Sequence, residues 1–325
     1  MFDFSRNAAR FFAAVAATLF LISCGGSSND TPAPPPFASV VAVLGASGAD
    51  IGNRCGSADP LCFPVPPYAG TSTAANGKLY PQLVAERYGA MLVTSSLGGT
   101  NFAIGGATTG VIPTDTVAQK LPNMQVQLEQ YLQRSGFLVN PQTLVILDGT
   151  AFGNNVRRVL ELLAANPAAA ATLPTAAVTQ AATDLGQILN RLYTAGARNI
   201  LLANATNMGL HPAVAALGAN AIALATGMSN GYNGAIAAQV LPSVRAVSPG
   251  MNIYLVDFGS LSNEMRANPA SFGLTNTTAP CYPFFSAPAA PVCLTPGSYM
   301  FWDELHPSAA VHSVGAQRAI TAIGR

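Results

Sequence analysis

The sequence predicts an α/β protein, a three-layer α/β/α sandwich around a five-stranded parallel sheet. Three observations carry that expectation: five short β-rich runs recur along the chain, helix-patterned segments separate them, and most runs are continuously apolar. Continuous apolar runs suit strands covered on both faces. Strands that alternate with helices suit a parallel sheet with helices on both sides.

The expected strands are residues 39–44, 91–94, 143–147, 199–203 and 252–256. Between them, 79–88 places Leu79 and Leu83 on one helical face, and 124–132 has apolar residues at three- and four-residue spacing. Residues 176–195 form a long amphipathic run, and 219–240 is an Ala-rich helix with Pro242 as its natural stop. A last helix over 308–323 starts after Pro307, and the Ala-rich tract at 164–177 reads as helix and loop filler. In open α/β sheets, sites form beyond the carboxyl ends of the strands. The segments that follow each run are therefore the ones to inspect.

The first residues predict export. Arg6 and Arg10 give a positive n-region, and Phe11 to Ile22 form an apolar stretch too short to span a bilayer. Leu21-Ile22-Ser23-Cys24 resembles the bacterial lipobox, in which the cysteine is lipidated and becomes the new N-terminus. The expected organisation is a signal peptide over 1–23, the lipidated Cys24 with a Gly/Ser- and Pro-rich linker over 24–37, and a folded domain over 38–325. The location that follows is the cell envelope, at the outer membrane, through the lipid; cleavage without lipid would instead give a periplasmic or secreted protein.

Removal of 23 residues leaves 325 − 23 = 302, enough for one large α/β domain. Half of the chain is hydrophobic and only 9% is charged, so a substantial core can form. With a net charge of +1 and no Lys/Arg cluster, a nucleic-acid surface is excluded, and a monomer is expected. Five cysteines less Cys24 leave Cys55, Cys62, Cys281 and Cys293, two local pairs in Pro-rich loops. Of the three pairings possible, Cys55–Cys62 and Cys281–Cys293 close short loops and are expected, at roughly 2–3 kcal/mol each. A zinc site is disfavoured because no CxxC pair or nearby histidine supports it.

Four polar segments follow the strands and can converge on one sheet edge: 45–53, 101–108, 148–155 and 301–307. Hydrolysis of an ester needs a nucleophile, a base with a carboxylate to hold its tautomer, and donors for the oxyanion. Only three histidines are available as base. His306 follows Asp303 by three residues, close enough for the carboxylate to reach its Nδ1. His211 lies in a Gly-Leu-His-Pro loop without a nearby acid, and His312 falls within the last helix as a surface residue. Ser47 follows the first strand in a Gly-flanked turn that leaves a hydroxyl accessible.

Taken in order, these segments resemble the signature blocks of the SGNH (GDSL-type) hydrolases, spread across nearly the whole mature chain. Gly45-Ala46-Ser47-Gly48 stands where that family has Gly-Asp-Ser-Leu, with Asp50, Gly52 and Asn53 also matching. Asn101-Phe102-Ala103-Ile104-Gly105-Gly106 resembles the second block, Gly153-Asn154 the third, and Asp303-Glu304-Leu305-His306-Pro307 the last. The resemblance implies a flavodoxin-like strand order and a Ser47–Asp303–His306 triad. It also implies an oxyanion hole made from the Ser47 and Gly106 N–H groups and the Asn154 side chain. It implies a carboxylic ester or lipid as substrate and no metal or organic cofactor. The departures are Ala46 for Asp, Gly48 for Leu, and Asn155 where the family has Asp. Residues 150–152 lengthen the connection to Asn154, which leaves Asn155 as a competitor for the oxyanion role. Asp50 and Asn53 read as turn-fixing residues, Asp148 as structural, and Glu304 as pointing away from the acid; Phe301 and Trp302 pack near the histidine loop or line an acyl pocket.

Two other readings stay in view. The turn at Ser47 echoes the G-x-S-x-G elbow of α/β-hydrolases, but that elbow follows several strands and here only one precedes the serine. A binding lipoprotein whose activity has decayed would explain the altered first and third blocks.

Overall fold

Four parallel strands, β1 (Val41–Leu44), β2 (Leu144–Leu147), β3 (Asn199–Ala203) and β4 (Asn252–Val256), lie side by side in that order. They belong to a computed structural model that describes residues 40–54, 77–115, 121–288 and 290–324. Cys24, the leader, the linker and the Cys55–Cys62 pair fall outside the described residues. Val41 pairs with Leu144 and Leu144 with Asn199, which sets the register across the sheet.

Side chains alternate along each strand, and both faces are apolar. Ala42, Leu44, Val145, Leu147, Ile200 and Leu202 enter one core; Val41, Val43, Leu144, Ile146, Leu201 and Ala203 enter the other. The continuous apolar runs in the sequence have this cause.

In chain order the helices are α1 (Tyr80–Arg87), α2 (Met124–Arg134), α3 (Thr150–Ala165), α4 (Leu173–Thr194) and α5 (Pro212–Ala215). They continue with α6 (Ala219–Ala235), α7 (Leu241–Val247), α8 (Phe258–Ala267) and α9 (Ala309–Ile323). Helices α2, α3, α4, α6 and α7 cover the first face, and α1, α8 and α9 the second. Their starts are chemically marked. The Asn123 side chain accepts from Val126 N–H, Asp257 from Ser260 N–H, and Ser308 from Val311 N–H. A small parallel pair, β5 (Asn276–Pro280) and β6 (Tyr299–Phe301), sits beside the main sheet, and the Cys281–Cys293 disulfide spans the loop between them. Among the described residues, no helix is long and apolar enough to cross a membrane.

The α/β/α class and parallel sheet match the expectation, and three details differ. Residues 91–94 do not form a full strand. Instead, Asn101 bridges both Val43 and Thr94, because the chain turns back at Ser95–Leu97 and Asn101 N–H bonds to Val93 C=O. This edge segment lies outside β1, so the spatial order is still flavodoxin-like. Pro242 does not end the helical stretch. A π-helical turn at Ile236–Val240 leads into α7, where the proline occupies the first turn and its missing N–H costs nothing. Finally, residues 150–152 are not an extended connection: α3 begins at Thr150, directly after Gly149.

Candidate active site

Ser47 stands in the turn that leaves β1, at the carboxyl edge of the sheet. Its neighbours are pinned from several directions. Gly45 N–H donates to Gln127 Oε1 (2.8 Å), and Gln127 Nε2 returns a bond to Gly45 C=O (2.9 Å). Ala46 N–H donates to Asp148 Oδ2 and Gly48 N–H to Thr150 Oγ1, both at 3.3 Å, while Ala49 N–H bonds to Ala46 C=O (3.0 Å). Every N–H from Gly45 to Ala49 is therefore engaged except that of Ser47, which has no acceptor among the described residues. An unpaired N–H in a well-ordered turn is uncommon and marks a donor kept for something else.

The second segment repeats the pattern. Asp50 Oδ1 accepts from Gly52 and Asn53 N–H, and its Oδ2 from Arg54 and Gly105 N–H. Burial raises the Asp50 pKa against these bonds. Asn53 Nδ2 donates to the carbonyls of Asn101 and Ala103, tying the two segments together. Ala107 N–H is taken by Ile104 C=O, while Gly106 N–H has no acceptor among the described residues. The Arg54 guanidinium donates to Gly105 C=O. Across a planar trans peptide, that turns the Gly106 N–H to the opposite side. Gly106 has φ +89°, and a Cβ there would collide with Arg54, so only glycine fits.

On α3, Asn154 lines the same pocket as Ser47 and His306, and its Nδ2 donates to Ala107 C=O (2.8 Å). That bond fixes the amide and leaves its second N–H. Asn155 is spent elsewhere: it is buried, accepts from Thr109 N–H (3.0 Å) and donates to Thr109 Oγ1 (2.8 Å). Asp148 is buried too, accepting from Ala46, Thr150 and Tyr80, with burial raising its pKa.

The last segment closes on itself. Trp302 N–H bonds to His306 C=O, and Phe301 bridges Pro307. Asp303 is 1% exposed, and both its carboxylate oxygens lie 2.8 Å from His306 Nδ1. Its Oδ1 also accepts from Leu305 and His306 N–H. A carboxylate only accepts, so Nδ1 carries the proton and Nε2 is the basic nitrogen of the neutral ring. Glu304 points away, as expected, accepting from Phe285 and Ser286 N–H and Ser286 Oγ. Phe301 lines the pocket, whereas Trp302 packs beside Leu79 and the disulfide.

The other two histidines are placed differently from the sequence reading. His312 is not on the surface: it is buried, its Nδ1 accepts from Tyr80 N–H (3.3 Å), and burial lowers its pKa to about 3. The reason is that α9 lies flat on α1 and turns this face inward. His211 Nδ1 donates to Leu305 C=O (3.0 Å), so a loop after β3 supports the segment that carries His306. Burial lowers its pKa to about 4. Sequence reasoning missed this contact and also Gln127. The latter had a signal, a polar residue on the apolar face of 124–132.

The pocket that holds Ser47 and His306 is largely apolar, with a volume of about 90 Å³ overall. Phe258, Leu261, Met265, Met300, Val311 and Gly315 form its inner walls. Among the described residues, no group of three or more His, Cys, Asp or Glu is placed to hold a metal ion. Cys281 and Cys293 are bonded, as expected.

A turn serine, a carboxylate-supported histidine and a parallel α/β/α sandwich define the class as SGNH-type hydrolase. More specifically, the chain belongs to the GDSL-like lipase/acylhydrolase family, whose model matches residues 41–319. It is similar to a GDSL esterase/lipase of Arabidopsis thaliana, 29% identical over 154 residues that cover 41% of this chain and 40% of that one. A second Arabidopsis GDSL esterase/lipase, LTL1, is 25% identical over 81% of this chain and 79% of its own. The phosphatidylcholine-sterol acyltransferase of Aeromonas hydrophila is 24% identical over 89% of this chain and 91% of its own. The matched region spans about two fifths or less of the first Arabidopsis relatives.

Proposed function

We propose that the protein is a serine esterase that hydrolyses carboxylic esters of short acyl chains through an acyl-enzyme. Ser47 Oγ attacks the ester carbonyl as His306 Nε2 takes its proton, and Asp303 stabilises the imidazolium that forms. The developing oxyanion is met by the Ser47 and Gly106 N–H groups and by the Asn154 amide. His306 then gives its proton to the leaving alcohol. Water, deprotonated by the same nitrogen, hydrolyses the acyl-serine and restores the hydroxyl.

The observation that carries this reading is the hydrogen-bond accounting. In the turns Gly45 to Ala49 and Ile104 to Ala107 every other N–H is engaged, and those of Ser47 and Gly106 have no acceptor among the described residues. A decayed site has no need to keep such donors unengaged, which argues against the binding-lipoprotein alternative. The whole pocket, Ser47 and His306 included, measures about 90 Å³, less than the dry apolar cavities of about 150 Å³ that accept benzene, so it suits a short acyl chain.

Transfer of the acyl group to a second alcohol is the rival outcome for the acyl-enzyme. It is favoured by the likeness, over most of both chains, to an acyltransferase. Export and lipidation at Cys24 complete the proposal, with an envelope location that gives access to lipid and small esters. The test is to treat the purified protein with a fluorophosphonate probe and a series of p-nitrophenyl esters. Labelling and turnover that vanish in Ser47→Ala are expected; folded protein with neither would sink the reading.

A further inference from the structure

Arg157 lies on α3 three residues after Asn154, which puts both on one helical face. It lines the pocket with Ser47 and His306, and also an open surface groove formed with Ala213, Val214, Leu217 and Phe285. The side chain is half-buried, yet its guanidinium makes no hydrogen bond or ion pair among the described residues. Its nearest acid on the helix is already used. Glu161 pairs with Arg158 (3.0 Å), which also grips Asp115 with two bonds of 2.7 and 2.8 Å. Asp303, the other carboxylate that attracts Arg157, is bonded to His306. Arg54 adds a second positive charge close enough to repel it, and burial lowers the Arg157 pKa.

A guanidinium has five donors, and without a protein acceptor they are left to solvent or to a ligand. A cation held this way beside a nucleophile is placed for an anion that arrives with the ligand. Arginine suits phosphate and carboxylate because its planar fork bonds them bidentately. The part of the pocket between α8 and α9 lies across the sheet from α3, and its lining there is mostly apolar. The anion must then sit on the other half of the ester.

We infer that Arg157 recognises an anionic group, phosphate or carboxylate, on the alcohol part of the ester. The preferred substrates are therefore short-chain acyl esters of an anionic alcohol. This rests on the esterase reading for its chemistry but not for its binding site. The groove beyond Arg157 gives the alcohol its path to solvent.

The experiment has a kinetic arm and a binding arm. In the first, kcat/KM is measured for three butyrates: those of p-nitrophenol, of 4-hydroxyphenyl phosphate and of 3-hydroxybenzoate. The wild type is expected to prefer at least one anionic ester. In Arg157→Gln the ratio of anionic to neutral kcat/KM should fall about tenfold or more, mostly through KM, with partial rescue in Arg157→Lys. An unchanged ratio, or an equal loss of kcat on all three esters, would overturn the inference. In the second arm, phenyl phosphate and benzoate are titrated into Ser47→Ala protein by calorimetry. Binding of either that weakens about tenfold or more in Ser47→Ala/Arg157→Gln supports the site and says which anion it takes. Binding of neither, or binding that ignores residue 157, overturns it. The esterase reading fails separately, by loss of turnover and probe labelling in the wild type.

Discussion

Gln127 holds both backbone polar groups of Gly45: its Oε1 accepts the N–H at 2.8 Å and its Nε2 donates to the C=O at 2.9 Å. The same Nε2 also donates to Pro122 C=O (2.9 Å), and the whole side chain is buried. Gly45 is two residues before Ser47, so this amide sets where the turn of the proposed nucleophile begins. Gln127→Leu keeps the volume but strands a buried N–H, at about 1–3 kcal/mol for that group alone. We expect a lower unfolding midpoint, together with a loss in kcat of tenfold or more as the serine shifts. Gln127→Glu should also fail, because an ionised carboxylate cannot donate to either carbonyl. Wild-type kcat in either variant would show that Gly45 is held well enough without this residue.

Asn154 and Asn155 are adjacent in sequence and separate in role. Asn154 faces the pocket and Asn155 binds Thr109. Asn154→Ala should lower kcat on p-nitrophenyl butyrate about 10²–10³-fold with little change in stability. Asn155→Ala should do the reverse, losing about 1–3 kcal/mol because Thr109 N–H is left unpaired. Denaturant unfolding and steady-state kinetics on both variants separate the two. Asn155 carrying the kinetic defect would reverse the assignment.

That pair also shows what was legible in the sequence. The four segments, their order and the Asp303–His306 spacing were readable because local motifs encode local geometry. The choice between Asn154 and Asn155 was not, because it depends on the start of α3 at Thr150, where strand and helix meet without a linker. His312 was misjudged for a related reason. Ala-rich helices such as α9 have weak amphipathic contrast, so their buried face is set by packing against α1. Residues 91–94 do not form the full strand expected, because an apolar run does not reveal that Asn101 folds back onto Val93.

The two buried histidines predict acid sensitivity. His211 and His312 have pKa values lowered by burial to about 4 and about 3 in the folded protein, against about 6.5 unfolded. The unfolded chain therefore binds more protons between those values, so stability is full above pH ~6.5 and falls as the pH drops toward 4. Each contributes on the order of 3 kcal/mol across that window. Asp50 and Asp148, raised by burial, act in the opposite sense: they favour the folded state at low pH and lose that contribution as pH rises above 3.8. Protonation of His312 would also set a new N–H against that of Tyr80. We expect the urea midpoint of the wild type to fall from pH 6.5 to 4, and the slope to flatten in His312→Gln. An identical slope in the two proteins would exclude His312 as a source.

The proposed acyl cavity makes the last prediction. Met265 is buried on α8 and lines the inner end of the pocket, in the same core as Phe258 and Ala316. Truncation to alanine opens space that an acyl chain can enter without new polar contacts. Each methylene that becomes buried is worth about 0.8 kcal/mol, or roughly fourfold in kcat/KM. Met265→Ala should thus raise the octanoate-to-butyrate ratio roughly tenfold or more, at a cost of about 2–5 kcal/mol in stability. The converse change is Gly315→Ala, whose new methyl would stand 3.3 Å from the Phe258 ring. It narrows the same space and should shift preference toward acetate. If both variants keep the wild-type chain-length profile, the acyl group binds elsewhere, in the surface groove beyond Arg157 rather than between α8 and α9.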